Sequence, residues 1–233
     1  MCFVIVNVLL LMFATSQSIL AQQEPTSSRS VKFNWALVAR LDPDGRDKVV
    51  NITQDALTKD FRLTVSPGDK IAMYVKPGEN TYIYLYLLGS RENLELIFPI
   101  SINKETLENE FTSGRATYIP GKNEWFTFDE NRGTETFYLL ASRDRLTRLE
   151  QLTKNYIDAR EEEKDLARQR VLDEIVNVKT GTAFGTSPER PIPFIGTVGT
   201  VGAVRGAEID IAKLAVRVEA GNFYSTTIRL KHE

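Results

Sequence analysis

From residue 61 to residue 142 the chain alternates apolar and polar residues with a period of two, and Gly, Pro or Asn stands at almost every break. That pattern predicts short β-strands joined by turns, because successive side chains of a strand point to opposite faces. Ile71, Met73 and Val75 share one face of a strand over 70–75, and Phe137, Leu139 and Ala141 repeat the arrangement near the end of the run. Over 81–88, Ile83, Leu85 and Leu87 oppose Tyr82, Tyr84 and Tyr86. A strand apolar on both faces predicts a central position between two packed layers. Upstream, Phe33, Trp35, Leu37 and Ala39 alternate along 32–41, and a short strand is expected at 49–52.

After Ser142 the period changes. Leu146, Leu149, Leu152 and Tyr156 recur at helical spacing, as do Leu166, Val171, Ile175 and Val176 beyond a charged stretch. This predicts one long helix or a pair over 143–179, stopped by Gly181 and carrying Glu150 and Lys154 as an i, i+4 ion pair. Six glycines and three prolines between 181 and 206 then read as an exposed loop. Over 208–231, Ile209, Ile211, Leu214, Val216 and Val218 precede a turn at 220–222, and Tyr224, Thr226, Ile228 and Leu230 follow it. That is the pattern of a C-terminal β-hairpin returning to the same sheets. The expected fold is mainly β (α+β): one antiparallel β-sandwich-like domain over 31–233, with a helical insertion at 143–179.

The N-terminus has a different character. Residues 4–13 are apolar but for Asn7 and fall short of the roughly 20 residues that cross a bilayer as a helix. With the small residues that follow, ending at Ala21, they read as a signal peptide over 1–21, although no Lys or Arg precedes the apolar run. The polar residues 22–30 serve as a flexible lead-in. The expected location is outside the cytoplasm, periplasmic or extracellular, with no membrane span after cleavage. Cys2 is the single cysteine and lies upstream of the cut, so the mature chain can hold no disulfide and no thiolate metal site. The formal net charge of -2 gives no electrostatic case for nucleic acid.

Several short motifs punctuate the β run: Pro67-Gly68-Asp69 opening a strand, the Tyr-rich strand 81–88, Leu94-x-Leu96-x-Phe98-Pro99, Ile119-Pro120-Gly121, and a Gly133-x-Glu135-x-Phe137 strand ending in Leu140-Ala141-Ser142. In these the region 61–145 resembles a bacterial domain-of-unknown-function family, number 4384 of its series. The resemblance implies a non-catalytic accessory module, found alone in exported proteins or joined to kinase-like, caspase-like or repeat domains. It carries no catalytic residues over. Physically, Gly68 and Gly121 supply backbone freedom and Asp69 a side-chain cap on its turn.

Candidate chemistry is sparse. Asp42, Asp44 and Asp47 around Gly45 lack the spacing and closing Glu of a calcium loop and read as a surface turn. Gly196, Gly199 and Gly202 lack the Lys and Ser/Thr of a phosphate-binding loop. His232 has no visible Ser, Asp or Glu partner, and Glu161, Glu162 and Glu163 read as a solvated helix face. Asn51-Ile52-Thr53 is a glycosylation sequon, relevant only in a eukaryotic secretory host. No catalytic residue, metal ligand or cofactor is identified. One constellation is left for ligand binding: Tyr82, Tyr84 and Tyr86, joined by Trp125 and Tyr138, whose rings and polar tips suit a protein or envelope component. The same tyrosines could instead lie beneath the helix after Ser142, as core.

Overall fold

A computed structural model of the protein describes residues 30–41, 48–52, 61–78, 81–99, 114–181, 192–193 and 210–233. The proposed signal peptide, most of the lead-in, the Asp42–Asp47 turn and nearly all of the Gly/Pro-rich stretch lie outside them. The strands are β1 (Val31–Leu41), β2 (Lys48–Asn51), β3 (Phe61–Val65), β4 (Lys70–Pro77), β5 (Tyr82–Leu88), β6 (Leu94–Phe98), β7 (Thr117–Ile119), β8 (Phe126–Thr127), β9 (Gly133–Ser142), β10 (Ile192–Pro193), β11 (Val216–Ala220) and β12 (Phe223–His232). Two helices, α1 (Thr147–Ile157) and α2 (Glu161–Lys179), separate β9 from β10.

The strands form two sheets. The first runs β10-β11-β1-β4-β7, with β2 also on β1 and β8 also on β4, and the second runs β3-β12-β9-β5-β6. Every strand pair is antiparallel except β3 with β12, which run parallel. The C-terminal hairpin of β11 and β12 divides its arms, β11 joining β1 in the first sheet and β12 joining β9 in the second. The inward residues are those the alternation picks out. Phe33, Trp35, Leu37, Ile71, Met73 and Val75 of the first sheet meet Ile83, Leu85, Phe137, Leu139, Ile228 and Leu230 of the second in one buried core. Each such side chain contributes about 1.5–3 kcal/mol by leaving water.

Both outer faces are covered too. The helix pair packs Leu146, Leu149, Val171, Ile175 and Val178 on Tyr84, Tyr86 and Leu140 of the second sheet. Leu166 and Val176, expected on that face, are 59% and 55% exposed. Val171, Ile175 and Val178 at i, i+4, i+7 form the seated stripe, and Val176, one residue after Ile175, is turned about 100° away from it. Glu150 likewise faces inward to Arg145 rather than forming the expected surface pair with Lys154. The segment expected to begin the C-terminal hairpin is instead a turn of 3₁₀-helix, Ile211–Leu214, because the Asp210 side chain accepts a hydrogen bond from Ala212 N at 3.2 Å and starts a helical turn. It lays Ile211 on the outer face of the first sheet, against Ala36, Val38 and Tyr74. Beside it Asn51 donates its amide to Leu214 O at 3.2 Å.

The turn before β4 follows the expected chemistry. Gly68 has φ +90°, and the Asp69 carboxylate accepts from Ser66 N at 2.8 Å. Gly68 N and Phe128 N donate to Phe128 O and Asp69 O, both at 2.9 Å, tying the turn to the end of β8. A Cβ at Gly68 would meet no atom within 4 Å, so Gly68→Ala is expected to cost only the left-handed backbone penalty, about 1–2 kcal/mol, read from urea unfolding. Gly121 differs from its expected role. The positive φ of that turn belongs to Asn123 (+64°), while Glu124 N donates to Gly121 O. A Cβ at Gly121 would meet only the far end of the exposed Glu124 side chain, at 2.5 Å, and that carboxylate can swing aside.

Candidate functional site

The five aromatic residues singled out by pattern do not form one surface. Tyr84 and Tyr86 are fully buried beneath α1. Tyr84 Oη donates to Glu150 Oε1 at 2.5 Å and accepts from Leu146 N at 3.1 Å, while Tyr86 Oη bonds Thr153 Oγ1 at 2.9 Å. Burial, reinforced at Tyr84 by the Glu150 carboxylate, pushes both phenol pKa values above their ordinary range. Tyr82 and Tyr138 are half-buried at the margin of the same layer, with Lys179 Nζ 5.6 Å from the Tyr138 ring centroid. Trp125 lies on the other side of the sandwich, against the outer-face cluster of the first sheet and 5.5 Å from the Arg40 guanidinium. The tyrosine row is therefore the seat of the helix pair, as a central strand with two covered faces requires.

An open concavity lies at one end of the sandwich, where the sheets part. It is a cleft of about 520 Å³ bounded by Ile71 of β4 and the 126–129 segment on one side, and by Leu87, the 89–97 hairpin, Glu135 and Phe137 on the other. The floor is apolar, from Ile71, Leu87, Ile97, Phe128 and Phe137, and Phe126 stands 38% exposed at the mouth. The register explains the polar side. Glu135 lies two residues before Phe137 on β9, opposite Leu230 of β12, and so faces inward where the core runs out. Glu95, opposite Leu87 of β5, lies at the same margin.

Three carboxylates, Glu95, Asp129 and Glu135, line the cleft with one guanidinium, Arg91. Asn93 Nδ2 donates to Glu95 at 2.7 Å, and Asn131 N donates to Asp129 Oδ1 at 2.7 Å. Arg91 donates to Asn131 Oδ1. The hairpin that carries Arg91 is clamped from behind, since Arg168 of α2 donates to Glu92 O at 2.8 Å and pairs with the Glu92 carboxylate at 2.9 Å. The Asn131 backbone amide lowers the pKa of exposed Asp129. Burial raises that of Glu135; nearby His232 opposes this, and the Asp129 and Glu95 charges add to it.

That raised value has a signed consequence. A carboxyl group with a higher pKa in the folded than in the unfolded state binds more protons when folded, so stability falls as pH rises through and above the ordinary glutamate value. Glu135→Gln is expected to raise the unfolding temperature at pH 7, with the gain shrinking to nothing below about pH 4 as the wild-type carboxyl protonates. Thermal unfolding of both proteins across pH 3.5–8 measures it.

Residues 64–145 match a family model described as a domain of unknown function (DUF4384). No curated protein and no solved structure matches the chain. The matched segment is the central third of the chain, and every residue that lines the cleft falls inside it. The helix pair and strands β1, β11 and β12 lie outside. Among the described residues no group of three or more His, Cys, Asp or Glu side chains is placed to hold a metal ion, and no helix is long and apolar enough to cross a membrane.

Sequence reasoning missed the cleft residues, though one signal was present. Glu135 continues the row Phe137, Leu139, Ala141 and is the charged member of an otherwise core-facing set. A carboxylate at an inward position is a departure from pattern that points to a site. Asp129, Asn131 and Phe126 come from a loop and a two-residue strand, whose direction no periodicity reveals.

Proposed function

We propose that the chain is an exported, non-enzymatic binding module whose ligand site is the cleft between the sheets. The observation that carries this reading is the cleft itself, an apolar floor ringed by a few placed polar groups, the usual make-up of a ligand pocket. Export is supported by the signal-like residues 1–21. The experiment has two parts. N-terminal sequencing of the protein recovered outside the cytoplasm is expected to begin at Gln22, and an intact Met1 would remove the export reading. A photoreactive amino acid at Phe126 is expected to capture an envelope component that the same group at exposed Leu166, on the far side of the helix pair, does not. Equal capture at both positions would count against the cleft.

One observation favours a second reading, a carboxylate-dependent hydrolase. Glu135 and Asp129 share one cleft, and their environments displace the two pKa values in opposite directions, as for an acid and a base. Release of product from envelope glycans or peptides, abolished in Glu135→Gln, would establish that reading over the first.

A further inference from the structure

We propose that the cleft receives a lysine or arginine side chain of a partner protein, its cationic head against Glu135 and its aliphatic stem along Phe126 and Phe128; the inference rests on the cleft being the ligand site. The charge balance comes first. Three carboxylates face one guanidinium across a space with an apolar floor, so an anionic ligand meets net repulsion and a cation net attraction.

The hydrogen bonds then single out one acid. Glu95 is held by Asn93 and Asp129 by Asn131, whereas the Glu135 carboxylate accepts no hydrogen bond among the described residues. A half-buried carboxylate that the fold leaves without a donor is completed by a ligand that brings one, most strongly by a charged donor. A second polar group at this end is in the same condition. His232 is 2% exposed, and neither ring nitrogen has a hydrogen-bond partner among the described residues. It follows Ile228 and Leu230 on the inward side of β12 and packs edge-on against Phe128 of the cleft floor, ring centroids 5.6 Å apart. The core therefore ends in unsatisfied polar groups at the place where it opens.

The remaining lining matches the rest of such a side chain. Lysine and arginine carry an aliphatic stem that packs on apolar surface while the head stays polar, and a cation gains further from aromatic faces. A neutral ligand of the same shape would cover Glu135 without compensating its charge.

Titration of the isotope-labelled full chain with capped Gly-Lys-Gly peptide, followed by amide chemical shifts, tests the assignment. Saturable shifts confined to residues 89–97 and 126–137 are expected. The Nε-acetyl-lysine and norleucine peptides should bind about tenfold more weakly or worse, as loss of a charge-assisted hydrogen bond requires. Glu135→Gln should erase that discrimination while melting higher than wild type at pH 7, a combination that a purely structural role would not produce. Norleucine binding as tightly as lysine would overturn the cationic assignment and leave the cleft as the ligand site. If none of these peptides moves those amides, the cationic assignment falls, while the cleft as ligand site stands or falls with capture at Phe126.

Discussion

Tyr84→Ala will cost the protein about 3–5 kcal/mol, the range for removing a fully buried aromatic side chain. Against the 5–15 kcal/mol that holds a domain together, that is a large fraction of its stability. The loss has two parts. The ring sits between the second sheet and α1, beside Leu146 and Leu149, so its removal leaves a cavity where the helix is seated. The hydroxyl satisfies Leu146 N and donates to the buried Glu150 carboxylate, whose other partner is Arg145. Tyr84→Phe removes only the second part and is expected to cost about 1–3 kcal/mol, the penalty for leaving buried polar groups short of a partner. Urea unfolding by far-ultraviolet dichroism separates the two variants. An Ala variant within about 1 kcal/mol of wild type would mean that the helix pair is not seated on this strand.

Trp35→Ala is expected to cost a similar amount, about 3–5 kcal/mol, because Trp35 is among the largest fully buried side chains and fills the space between the sheets. Its Phe variant should behave differently from that of Tyr84. The Trp35 indole nitrogen is buried without a hydrogen-bond partner among the described residues. Trp35→Phe therefore removes a desolvated donor along with part of a ring, and the first change offsets the second. A cost clearly below that of the Ala variant, near 1–2 kcal/mol, is the expected outcome. A Phe variant as unstable as Ala would show that the second ring, rather than any ring, is what this layer needs. The protein has only two tryptophans, so both variants leave Trp125 as the sole tryptophan.

The layers were legible because burial enforces periodicity. The inward rows of β1, β4, β5 and β9 read directly from alternation, and the change of period after Ser142 marked the helices. What failed were positions where a single local interaction decides: Asp210 capping a 3₁₀ turn, and Asn123 taking the left-handed conformation beside Gly121. The tyrosine row illustrates a different limit. Alternation places Tyr82, Tyr84 and Tyr86 on one face but says nothing of what lies over it, and the answer depends on Leu149 and Val171, far away in sequence. The cleft is hardest of all to see, since its walls come from five separate segments that only the packing of the two sheets brings together.

The position of β12 has a temporal consequence. This last strand lies in the interior of its sheet, with β9 on one side and β3 on the other. Strand β3 pairs with a neighbour that lies far along the chain, Phe61 standing opposite Ile228. Contacts so widely separated in sequence close slowly, because the loop entropy is spent before the pairing is gained. Until residues 223–232 dock, the second sheet has a gap between β3 and β9, and the strand carrying Glu135 has an open edge. The end of the sandwich that holds the cleft is thus completed only when this long-range pairing closes.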